Sequence, residues 1–152
     1  MRKKTLFLFL ILGLLLGMSV TPAFAAKPLD VHIEVYKPIG VNHVPFTATG
    51  DAVDKGLVCA FGTEEDLSVD VVNTNRRFTT LKILKRFTCG DGSGTFNIRM
   101  TVKLFADSHT TANWRVVAGT GDYTRLKGHG KLYGTPIVPE VSIFDVYDGK
   151  MK

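Results

Sequence analysis

The sequence predicts an all-β protein, a sandwich or a barrel of seven or eight strands, and three observations carry that expectation. Apolar and polar residues alternate with period two in run after run, most cleanly from Thr95 to Phe105. Turn signals rich in Gly, Asp and Asn separate these runs at intervals of roughly ten residues. Helical periodicity is nearly absent after residue 26. At 152 residues, 45% hydrophobic and 22% charged, the chain has the size and composition of one globular domain. It has too many apolar residues for a disordered protein and no period that fits collagen or a coiled coil.

The first segment stands apart. Arg2, Lys3 and Lys4 precede an apolar run from Leu6 to about Leu16, followed by Ala23-Phe24-Ala25. This is the layout of a secretory signal peptide, with cleavage expected after Ala25 and residues 26–152 left as a single barrel domain. The apolar run falls short of the roughly 20 residues a membrane span needs, so no stable membrane insertion is expected after its removal. The expected location is extracytoplasmic, in a periplasm or outside the cell. The formal charge of +5 shrinks accordingly: sixteen basic residues remain against fourteen acidic ones. A net of +2 gives no reason to expect a nucleic-acid partner.

The strands follow in order. Val31, Ile33 and Val35 alternate with His32 and Glu34, and Val44, Phe46 and Ala48 form the next apolar face. Leu57, Cys59 and Phe61 suggest another, then Leu67, Val69 and Val71 against Ser68 and Asp70. Leu81, Ile83 and Phe87 continue, with Lys82, Arg86 and Thr88 opposite. In the Thr95–Phe105 run, Phe96, Ile98, Met100, Val102 and Leu104 share one face. Trp114, Val116 and Ala118 come next, then a return through Gly128 to Gly134, and a last strand from Val141 to Tyr147. Ile143 and Phe144 both read as buried there. Residues 26–30 are expected to be a lead-in and Gly149–Lys152 a short tail. Closure into a barrel removes the sheet edges that an exported protein must otherwise protect.

Cys59 and Cys89 are the two cysteines, and export would place them in an oxidising compartment. No His lies near either one in sequence to activate a thiolate, and a thirty-residue spacing without C-x-x-C is poor for zinc. A structural Cys59–Cys89 disulfide is expected.

The segment from Trp114 to Gly134 reads W-R-V-V-A-G-T-G-D-Y-T-R-L-K-G-H-G-K-L-Y-G. Gly119, Gly121, Gly128 and Gly130 mark places where a side chain would obstruct, and Tyr123 and Leu126 suit a tight corner packed on the barrel. The stretch G-T-G-D-Y-T-R-L-K-G-H-G resembles the G-T-G-x-Y-x-x-L-x-G-x-G signature of the allene oxide cyclase-like barrel superfamily, which includes dirigent proteins. With F-T-C-G-D-G-S-G-T-F at Phe87–Phe96 and W-R-V-V at Trp114, the order is similar to a group of small secreted bacterial proteins. The resemblance runs from about Phe46 to Tyr147. It implies an antiparallel eight-stranded β-barrel, often a homo-oligomer. None of the plant enzyme's cavity residues has a matching position here.

Other chemistry is thinly represented. Gly119-Thr120-Gly121 and Gly128-His129-Gly130 lack the third glycine and the helix of a phosphate loop. His32, His43, His109 and His129 are dispersed, so no metal is expected, and nothing calls for a cofactor. No G-x-S-x-G elbow occurs. Glu64-Glu65-Asp66 reads as a solvated acidic loop, and Arg76, Arg77, Lys82, Lys85 and Arg86 as a solvated basic strand face. Lys85, Asp145 and Tyr147 are polar residues on otherwise apolar faces, which marks them as candidate cavity residues, with Arg125 as a rim candidate. A buried Asp145 near a cation would either pair structurally or serve as an acid/base group. The first functional expectation is non-catalytic binding of a hydrophobic small molecule or a partner surface. The alternative, implied by the resemblance, is a cyclase, isomerase or dirigent-like enzyme acting on a hydrophobic substrate inside the barrel.

Overall fold

The computed structural model describes residues 27–152; the signal-peptide segment lies outside the described residues. Eight antiparallel strands close into one barrel in sequence order. They are β1 (Leu29–Pro38), β2 (Val44–Thr49), β3 (Phe61–Thr74), β4 (Phe78–Cys89), β5 (Thr95–Phe105), β6 (Thr110–Gly119), β7 (Gly128–Val138) and β8 (Ser142–Met151). A one-turn helix, α1 (Asp51–Asp54), follows β2, and a 3-10 turn at Gly121–Tyr123 joins β6 to β7. Each strand is followed by its hydrogen-bonded neighbour, and β8 closes on β1 through ten residue pairs from Leu29–Met151 to Pro38–Ser142.

Period-two alternation places the core. Val31, Ile33 and Val35 of β1, Phe96, Ile98, Met100 and Val102 of β5, and Leu132 of β7 point inward and are buried. Four register shifts interrupt the ladders, and two of them position the interior. On β6, Asn97 faces Ala118 while Ile98 faces Val116, so Val117 is the extra residue and Ala118 leaves the inner face. On β3, Asp66 faces Lys85 while Ser68 faces Leu84, which makes Leu67 the extra residue. Glu64 and Asp66 before the bulge, and Val69 and Val71 after it, therefore lie on the same side of the strand.

The two ends of the barrel differ. One end is filled by aromatic rings: Phe87 stacks on Phe96 at 5.0 Å, and Phe46 meets Phe87 edge-on at 5.2 Å. Tyr123 packs edge-on against Phe96 at 5.7 Å. Helix α1, with Ala52 buried, and the Cys59–Cys89 disulfide complete the packing there, the half-cystine Cα atoms 5.9 Å apart. Glycines admit this packing. A Cβ on Gly130 would lie 2.0 Å from the Asp148 carbonyl and 2.6 Å from the Trp114 ring. The opposite end, where the β5–β6 and β7–β8 turns and the β1–β2 loop meet, is hollow.

Several expectations need correction. Leu57–Ala60 is not strand but the approach to β3, and Phe61 is exposed because Gly62 and Glu64 take the inward positions at the start of that strand. Gly149–Lys152 is not a tail. Strand β8 continues to the buried Met151, and the Lys127 and Lys152 backbones bond reciprocally at 2.9 and 2.8 Å. The lead-in likewise ends earlier, as β1 starts at Leu29. Ile143 and Phe144 are each half-buried, on opposite faces of β8.

Candidate functional site

The hollow half of the barrel holds a cavity of about 410 Å³ with apolar walls, among them Ile83, Val102, Leu104 and Leu132. Its floor is charged. Lys37 on β1, Asp66 on β3, Lys85 on β4 and Asp145 on β8 all reach it. Behind them, toward the aromatic end, lie Glu64 and Tyr147, both fully buried.

The ion pairs interlock. Lys85 Nζ is 2.7 Å from Glu64 Oε1 and 2.8 Å from Asp66 Oδ1. Lys37 Nζ is 3.1 Å from Glu64 Oε1 and 2.5 Å from Asp66 Oδ2. Each ammonium thus contacts two carboxylates and each carboxylate two ammoniums, an arrangement in which three buried charges and the partly buried Asp66 compensate one another. The Tyr147 hydroxyl approaches Glu64 Oε2 at 3.5 Å, and its ring meets Phe87 edge-on at 5.6 Å. Tyr147 therefore ties the charged layer to the aromatic plug.

Asp145 is different. Its side chain is buried, yet none of the ion pairs or hydrogen bonds among the described residues involves its carboxyl. Burial pushes its pKa up to about 6; Lys85 opposes that rise, while Glu64 adds to it. Burial would lower Lys85, but Glu64, Asp66 and Asp145 outweigh it and raise the ammonium above the ordinary lysine range. Burial would likewise raise Asp66, but Lys85 and Lys37 hold it below the usual carboxylate range. Burial, reinforced by Glu64, raises the Tyr147 phenol well above its ordinary value, so it stays protonated.

The shift at Asp145 fixes a pH dependence. The folded protein keeps this proton up to about pH 6, whereas the unfolded chain releases it near 3.8. The contribution to stability is therefore full below pH 3.8 and is lost as pH rises through 6, a change of about 3 kcal/mol. Asp145→Asn should gain stability relative to the parent protein between pH 4 and pH 7.5. Urea midpoints of both proteins at the two pH values measure this. A constant difference would contradict the buried, unpaired carboxyl.

The residues singled out in the sequence fall at two ends. Lys85 and Asp145 come together on the floor of the cavity, whereas Tyr147 lies behind it, fully buried against Glu64, and does not line the cavity. Arg125 does not join them. It is exposed beyond the end of β6 that lies away from the cavity, whereas Thr110, at the start of β6, lines the mouth. Gly119, Gly121, Tyr123, Leu126, Gly128 and Gly130 belong to the closed end. A Cβ on Gly119 would lie 2.1 Å from the Tyr123 carbonyl, and Gly121 adopts φ 57° against the Ser93 carbonyl. The Tyr123 hydroxyl is 2.7 Å from Ser93 Oγ, and the Leu126 amide bonds the Tyr123 carbonyl. Gly128 lies against Met151. The acidic trio is not a solvated loop. Glu64 is wholly buried, Asp66 is partly so, and Glu65 faces outward to pair with Arg86 at 3.3 Å. The basic stretch is likewise split, with Lys85 inside and Arg86 outside. Lys37, Glu64 and Asp66 are site residues that the sequence reading misses. Lys85 on an apolar face was the signal that could have found them, since a buried ammonium requires carboxylates.

These features define a class: a closed β-barrel plugged at one end, with an apolar cavity over a charged floor at the other. Comparison with protein-family models, with characterised proteins and with solved structures finds no match to this chain. Among the described residues no helix is long and apolar enough to cross a membrane, and no cluster of His, Cys, Asp and Glu could hold a metal ion. The disulfide is compatible with an extracytoplasmic location.

Proposed function

We propose that this is an exported barrel that binds a small, largely apolar molecule in the open half of its interior, without catalysis. The observation that carries this reading is the cavity of about 410 Å³, a size suited to a small organic ligand and walled mainly by apolar side chains. A barrel packed solid from end to end would have had no room for one. Ile39, at the cavity mouth, is exposed, and so are the nearby Val141 of the β7–β8 turn and Val138 at its base. An apolar molecule thus meets compatible surface before it enters. The likeness of the Gly119–Gly130 stretch to allene oxide cyclase-like barrels accords with an interior ligand. The Lys-rich, apolar N-terminus and the disulfide support export.

Trp114, the single tryptophan, supplies the test. It is buried and pairs with Met100, which lines the cavity. Energy transfer from Trp114 to the neutral probe N-phenyl-1-naphthylamine should rise saturably with a single site. Leu104→Arg, which sets a charge on the cavity wall, should weaken it at least tenfold. Absence of saturable transfer would sink the proposal. Native mass spectrometry of the exported protein would show any ligand carried along.

A further inference from the structure

The charges on the cavity floor do not balance. Lys37 and Lys85 are matched by Glu64 and Asp66 through four contacts of 2.5–3.1 Å. Asp145 is left over, a fifth charge, itself buried, with no cation in contact. A Cβ on Gly134 would lie 2.5 Å from Asp145 Oδ1 and 2.1 Å from Thr110 Oγ1. The carboxyl and the Thr110 hydroxyl therefore stand together above a position with no side chain, and both line the cavity. Ser142, three residues before Asp145, also lines it, and its buried Oγ has no hydrogen-bond partner. Protein interiors seldom leave such groups unpaired, because a buried polar group without a partner is costly, so their grouping around one cavity calls for a specific role.

We propose that the ligand of this cavity carries a protonated amine, paired with the Asp145 carboxylate beside the Thr110 hydroxyl, with its apolar body against Ile83, Val102 and Leu104. This rests on the ligand-binding reading above and adds the chemical class of the ligand. An anionic head group is disfavoured because both lysines are already engaged. A neutral head group would leave the fifth charge unmatched. An ammonium compensates it in a water-poor site, where the pairing is stronger than in solvent.

The groups facing Asp145 determine the pH behaviour. Lys85 comes from β4, Glu64 and Asp66 from β3, Lys37 from β1 and Tyr147 from β8 itself. Strands β6 and β7 contribute the non-ionising Thr110 and Gly134. Glu140, in the β7–β8 turn, lines the cavity mouth. Asp145 is ionised at pH 7.5 and mostly protonated at pH 5, so amine binding should weaken on acidification.

The test is displacement of N-phenyl-1-naphthylamine by decylamine, decanol and decanoate, three molecules with one tail and different heads. At pH 7.5 decylamine should displace the probe at concentrations at least tenfold below decanol, with decanoate weakest. At pH 5 the advantage of the amine should shrink severalfold. Asp145→Asn should abolish it, with each displacement scaled to the probe affinity measured for that variant. Decanoate equal to or better than decylamine overturns the proposal, as does an amine preference that survives in Asp145→Asn. Probe binding without amine preference refutes this inference alone; no probe binding at all refutes the ligand-binding reading and this inference with it.

Discussion

Lys85→Met is expected to destabilise the barrel by about 3–5 kcal/mol at pH 7.5, the range for breaking a buried ion pair from one side. Lys85 is 3% exposed and Glu64 0%, so neither charge is solvated by water. Methionine fills much of the same volume, so the loss reports charge rather than a void. Three carboxyls would then share the single ammonium of Lys37. The deficit should narrow as pH falls, because carboxylates that have lost their cation take up protons more readily and the neutral form needs no partner. Adding Glu64→Gln to Lys85→Met should restore part of the lost stability, making the double variant less damaged than the two single effects summed. Urea unfolding of the four proteins at pH 7.5 and 5 measures both effects. A loss under about 1 kcal/mol for Lys85→Met would mean that water reaches the cluster and that the charged floor is not a rigid part of the fold.

The second large effect concerns the disulfide. Cys59 and Cys89 are thirty residues apart and close a loop around the β3–β4 hairpin. On the chain-entropy account, such a loop stabilises the fold by about 3–4 kcal/mol. The double variant Cys59→Ala/Cys89→Ala should lose that much, with a lower urea midpoint. Both sulfurs belong to buried residues, so the variant is a cleaner measurement than adding a reductant to folded protein. The bridge fixes the start of β3 against the end of β4, and the charged pairs Glu64–Lys85 and Asp66–Lys85 lie on those same strands. Loss of the bridge should therefore also weaken probe binding, more than the stability change alone would cause. Identical urea midpoints for the variant and the oxidised parent protein would rule out a stabilising role.

The expectations that failed share a cause. Alternation is a property of a single strand and carries no phase across a bulge. Leu67, Val69 and Val71 read as one apolar face, which put Glu64 and Asp66 beyond the strand. The extra residue at Leu67 shifts the phase by one, so both carboxyls join Val69 inside. Lys37 was overlooked because it lies one step past the apolar triplet Val31, Ile33 and Val35, on the same face as they do. The final residues read as a tail because glycine and lysine are weak strand formers. Their pairing with β1 and β7 compensates, since barrel closure requires β8 to reach the full length of its neighbours.

The sequence by itself determined the all-β class, because period-two burial and turn chemistry are local properties written in adjacent residues; the closed eight-stranded barrel followed from the resemblance of the Gly119–Gly130 stretch and not from alternation. It also determined the cysteine pairing, since two half-cystines leave one partner each. The tertiary structure alone decided which half of the barrel is filled and which is hollow. It alone assembled Lys37, Glu64, Asp66, Lys85 and Asp145, drawn from four strands spread over more than a hundred residues, into one layer with one carboxyl left over. Register and bulges set that arrangement, and they are fixed only when all eight strands close on one another at once.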